Sequence, residues 1–167
     1  MAMTPIETIT VGSGGVSGIV FTGIPQNGKD LLVLVSGRGG GTGETSVHAR
    51  LNEDGTNANY SGLDLVGNGS SVASAADYPY PRAVMNDGNT TANTFGNVSF
   101  YISNYTSGSY KSVSTTGVME NNAQASSQTL HASTWNNTDA VTSLQIQSSR
   151  SGFVEHSTAS LYRVVAE

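Results

Sequence analysis

The sequence contains no cysteine. That excludes a disulfide scaffold and a thiolate metal site. Charge is scarce too. Asp, Glu, Lys and Arg make up 11% of the chain, against about 25% in an ordinary globular domain. The seven basic residues are scattered and the net charge is −5. No basic stripe is available for phosphates, so nucleic acid is not an expected partner. The longest apolar run is Leu31-Leu32-Val33-Leu34-Val35, far short of the ~20 residues a membrane helix needs. No membrane partner is expected. The opening residues MAMTPIETIT lack a basic segment followed by an apolar one, so no signal peptide is expected.

Apolar spacing at i, i+3, i+4, i+7 is also missing; alternation with period two recurs instead. It predicts strands at about 6–11, 16–22, 30–37, 45–52, 97–103, 109–119, 128–135, 141–148 and 157–165. Val98, Phe100 and Ile102 share one face, and Ser99, Tyr101 and Ser103 the other. Such one-sided burial marks antiparallel sheets packed face to face. Leu31 to Val35 are apolar on both faces. They predict a central strand covered on both sides, by a neighbouring subunit or by a loop of the same chain. Turn signals such as Ser13-Gly14-Gly15 and Tyr105-Thr106-Ser107-Gly108 separate the strands. About nine short strands in one chain predict an all-β antiparallel sandwich of jelly-roll type. Residues 63–95 break the rhythm and are expected to form one long loop, the length at which loops serve an interface. Residues 1–167 form one expected domain, with 1–5 as a short N-terminal arm.

What is present in quantity is Ser, Thr, Asn and Gly. These give a neutral surface rich in hydrogen-bonding groups, common in extracellular β-proteins and virion proteins. The stretch LNEDGTNANY, residues 51–60, raises a calcium loop. With Gly55 at position six, however, Arg50 occupies the first ligand position and Ser61 the twelfth, so the pattern fails. A tight bend at Asp54-Gly55, supported by Asn57 and Asn59, is the better reading. His48, His131 and His156 lie on or beside three different strands without metal-ligand spacing, and no metal or cofactor is expected. They read as surface or sandwich-end residues. A triad of His131, Asp139 and a serine lacks a nucleophile elbow. No positioned catalytic site emerges, and the chain is not expected to be an enzyme. Trp135, Tyr78 and Tyr80 could form an aromatic platform for a glycan. Trp135 could equally plug the core, since large aromatics are highly buried on average.

Several phrases carry a resemblance. They include Phe21-Thr22-Gly23-Ile24-Pro25, Asp30 to Arg38 (DLLVLVSGR), Arg50-Leu51-Asn52, Asn59-Tyr60, Ile102-Ser103-Asn104-Tyr105, Lys111-Ser112 and Ser157 to Tyr162 (STASLY). In this order, over nearly the whole chain, the series resembles a group of tailed-phage virion proteins common in phages of cyanobacteria and other marine bacteria. The resemblance implies a β-sandwich assembled as a homotrimer, made in the host cytoplasm and carried on the virion. A chain of one domain looks more like a capsid decoration (cement) protein on the outer capsid surface, with the major capsid protein as partner. The alternative is a tail-fibre or receptor-binding module for host surface glycan. Met3, Thr4, Pro5 and Ile6 of the arm, with Tyr78, Tyr80 and Arg82 of the long loop, are the expected capsid or trimer contacts.

Overall fold

The computed structural model describes residues 2–43, 45–76, 78–120 and 126–165. Within them the chain is all-β. Its strands are β1 (Ala2–Thr10), β2 (Gly18–Phe21), β3 (Asp30–Gly37), β4 (Thr45–Leu51), β5 (Tyr60–Gly67), β6 (Val72–Ala75), β7 (Arg82–Met85), β8 (Gly96–Ile102), β9 (Lys111–Met119), β10 (Ser127–Trp135), β11 (Leu144–Ser148) and β12 (Thr158–Val165). A single turn of 3₁₀ helix, Asn57–Asn59, leads into β5. Eight strands form one sheet in the order β1-β12-β3-β8-β9-β10-β5-β6, and four form the other, β2-β11-β4-β7. Every ladder is antiparallel. A jelly roll holds about eight strands; here twelve are split eight and four, and the fold is an unequal sandwich.

Alternation explains the packing. In β8 the inner residues Val98, Phe100 and Ile102 are fully buried, and in β4 so are Val47, Ala49 and Leu51. Phe21, Leu144, Ile146 and Met85 complete the small sheet's inner face, and one cluster joins both sheets. One inner row crosses the large sheet in register: Leu161, Val33, Phe100, Thr115, His131, Asp64. It changes from apolar to polar as it approaches β5. At that polar end β7 seats against β9, because Gly117 on the inner face of β9 has no side chain. A Cβ there would lie 2.3 Å from Ala83 Cβ.

Three expectations are corrected. Residues 63–95 are not one loop. They contain most of β5 and all of β6 and β7, and β7 is an integral strand of the small sheet. Residues 2–5 are not a free arm, for they pair with β12 from Ala2↔Val165 to Pro5↔Tyr162. Ile6, after which the register shifts, packs on the core. β3 is central, but among the described residues no loop of the chain covers its outer side: Val33 and Val35 are buried, whereas Leu34 is 39% exposed.

Candidate functional site

The inner row ends in a polar cluster that ties the two sheets together. His131 Nδ1 lies 2.5 Å from Asp64 Oδ1, and the carboxylate accepts the proton. Arg82, on β7 of the small sheet, donates from Nε and Nη2 to Asp64 Oδ2 at 2.9 and 2.8 Å. Such a two-point guanidinium–carboxylate contact fixes geometry as well as charge. Asp64 and His131 are buried. Burial lowers the His131 pKa, and the Asp64 bond opposes that without reversing it. The ring is therefore neutral at pH 7. His131 Nε2 is buried and has no hydrogen-bond partner among the described residues; it lies beside Gly62, where a Cβ would lie 2.7 Å from it. The pair resembles the acid–base half of a triad, but no hydroxyl among the described residues bonds to Nε2. His131 is thus an interior residue, not a sandwich-end one, and its carboxylate is Asp64 rather than Asp139.

The stretch 51–60 is a hub for Trp135. Asn52 and Glu53 carry φ of 51° and 56°, and Asp54 N donates to Leu51 O at 3.0 Å. This is a type I′ turn at Asn52-Glu53, two residues before the expected Asp54-Gly55 bend. The shift frees the Asp54 carboxylate to accept from Trp135 Nε1 at 2.9 Å, Asn59 Nδ2 at 2.8 Å and Thr56 N at 2.9 Å. Desolvation alone would raise its pKa, but the hydrogen bonds win and hold it at about 2. Trp135 is 1% exposed. It lies 6.4 Å from Tyr60, centroid to centroid, and cannot serve as a glycan platform.

Of the remaining predicted contacts, Tyr78, Tyr80 and Arg82 do come together. The Arg82 guanidinium lies 3.2 Å from the Tyr78 ring centroid. Tyr80 stacks on His48 at 5.5 Å and receives Arg50 at 5.0 Å. Its hydroxyl donates to Gly55 O at 2.6 Å. Ser46, Tyr78, Arg82, Ser149 and Arg150 line a cleft of about 440 Å³ beside them. Met3, Thr4, Pro5 and Ile6 lie on β1, at one edge of the large sheet.

The outer face of the large sheet was not anticipated. Its register places three rows side by side: Ser160, Leu34, Ser99, Thr116, Leu130, Leu65; then Tyr162, Leu32, Tyr101, Ser114, Ala132, Leu63; then Thr158, Ser36, Asn97, Val118, Gln128, Gly67. None of these residues is charged. β5 is inverted, with Gly62 and Asp64 facing inward and Leu63 and Leu65 outward, at 51% and 45% exposure. Leu130 beside them is 48% exposed. Two open depressions of about 570 and 560 Å³ indent the face and share Leu63, Ser114 and Ala132.

No family model matches the chain, and neither does any curated protein or solved structure. Among the described residues no group of three or more His, Asp or Glu could hold a metal ion, and no helix is long and apolar enough to cross a membrane.

Proposed function

We propose that the chain is a non-catalytic structural protein of a tailed-phage virion, a trimeric capsid decoration protein that docks between major capsid subunits. The observation that carries this reading is the inverted strand β5. It turns Leu63 and Leu65 outward, beside Leu130, on a sheet face whose central rows bear no charge. Exposed apolar residues grouped on one face mark an interaction surface. An uncharged face also meets a capsid or a second copy without opposing like charge. Serines and threonines around the leucines supply the polar rim such interfaces need. Three modest contacts in one trimer act at high effective concentration, so no single contact has to be strong. With residues 2–5 held in a sheet, the docking surface moves from the arm to this face.

The test is co-sedimentation of purified protein with undecorated mature heads, beside the Leu65→Lys/Leu130→Lys double variant. Saturable binding at a fixed ratio per lattice point, lost in the variant, supports the reading. Absence of binding by the unaltered protein sinks it. A second reading, a tail-fibre or receptor-binding module, is favoured by the grouping of Tyr78, Tyr80 and three arginines on the opposite sheet.

A further inference from the structure

We propose that the cleft formed by Ser46, Tyr78, Arg82, Ser149 and Arg150 binds a carboxylated sugar. The inference rests on the cleft alone and holds whether the chain sits on heads or on tails. Its first support is the placement of charge. The protein carries −5 overall, yet Arg50, Arg82 and Arg150, three of its seven basic residues, gather around the outer side of the small sheet. The central rows of the large sheet's outer face hold none.

The second support is the state of each group. Arg82 is immobilised, with Nε and Nη2 on Asp64 and its guanidinium carbon over the Tyr78 ring. It is therefore a fixed wall of the cleft and not its free charge. Arg150 is exposed, and among the described residues no hydrogen bond or ion pair holds its guanidinium. A guanidinium presents a planar fork that matches the two oxygens of a carboxylate. Ser46 and Ser149 join the two strand ends, Ser149 N donating to Ser46 O at 2.8 Å and Ser46 N to the Ser149 hydroxyl at 2.9 Å. They set hydroxyls at the mouth, suited to sugar hydroxyls. Tyr78 remains 39% exposed although the Arg82 guanidinium lies against its ring, which leaves ring surface on which a sugar can lie. A ring, a free guanidinium and hydroxyls within one cleft of about 440 Å³ fit a single acidic sugar unit better than an extended polyanion.

The experiment is titration calorimetry at low ionic strength with a galacturonate oligosaccharide, the matching neutral galactose oligosaccharide and sodium sulfate. The uronate is expected to bind saturably and the neutral sugar at least about tenfold more weakly. Arg150→Ala and Tyr78→Ala should each weaken the uronate at least about tenfold, a loss of about 1.4 kcal/mol, with an unchanged melting temperature in Arg150→Ala. Lys29→Ala, remote from the cleft, should bind as the unaltered protein does. Equal binding of charged and neutral sugars would overturn the proposal. So would wild-type affinity in Arg150→Ala, or sulfate binding as tightly as the uronate, since each removes either the carboxylate or the sugar from the recognition. Head binding with no uronate binding would sink this inference while leaving the decoration role standing.

Discussion

Replacing Asp64 by alanine removes the one group that both Arg82 and His131 address. The change leaves a guanidinium whose side chain is 14% exposed without its counter-charge, and a buried imidazole without its acceptor. Breaking a buried ion pair from one side typically costs about 3–5 kcal/mol. Arg82 borders an open cleft and can turn toward water, so the low end, about 3 kcal/mol, is expected. At roughly 2–4 °C per kcal/mol for a chain of this size, the melting temperature should fall by roughly 6–12 °C. The paired replacement Asp64→Leu with Arg82→Met should recover most of the loss, because no charge is then stranded. Differential scanning calorimetry of the three proteins decides it. A loss below about 1 kcal/mol for Asp64→Ala would match a solvated surface pair and refute the claim that this cluster ties the small sheet to the large one. The same cluster sets a pH dependence. The native His131 pKa lies below the unfolded value of 6.5. Between the two, the unfolded chain takes up a proton that the native state refuses. Stability contributed here is therefore complete above about pH 7 and declines as pH falls below 6.5. His48 is shifted in the same direction by its own burial, so the slope should shrink, not vanish, in His131→Asn.

Further outcomes follow from other contacts. Trp135 emission should be blue-shifted and resist acrylamide quenching; an exposed, quenchable signal would contradict its place in the core. Asp54→Ala strands the Trp135 Nε1 donor and should cost about 1–3 kcal/mol in chemical denaturation, with a red shift of that emission. Because the Asp54 pKa falls from 3.8 to about 2 on folding, its contribution is present above pH 4 and is lost as pH falls toward 2. Gly117→Val drives a side chain into Ala83 and should cost about 1–3 kcal/mol. A variant of equal stability would mean that β7 does not sit so close to β9.

Strands such as β4, β8 and β11 were legible because their inner residues are apolar and their outer ones are not. β5 escaped notice because its pattern is reversed. Its inner row is Tyr60, Gly62, Asp64 and Val66, and its leucines face out, so alternation alone assigns no buried side. β6, with the sequence VASA, is a short, exposed edge strand, and Pro79 and Pro81 just before β7 read as loop. The bend at residues 51–54 follows a demand invisible locally: Asp54 must reach an indole 81 residues away. His131 and Asp64 are 67 residues apart, and only the pairing of β10 with β5 brings them together.

The position of β12 has a consequence in time. The last of the described strands lies between β1 and β3, two of the first. As the chain leaves the ribosome, β1 has no sheet to join and β3 keeps an open flank until β12 arrives more than a hundred residues later. Closing so long a loop precedes any reward from the contacts it makes, so folding should be slow and should finish only after synthesis of the domain does. Until then the row of leucines and valines in β3 is a strand edge that neighbouring nascent chains can capture. The same arrangement sets Ala2 opposite Val165. A circular permutant that links the two and opens the chain between β11 and β12 would make β12, β1 and β2 immediately before β3, and should refold faster with the same sheet order.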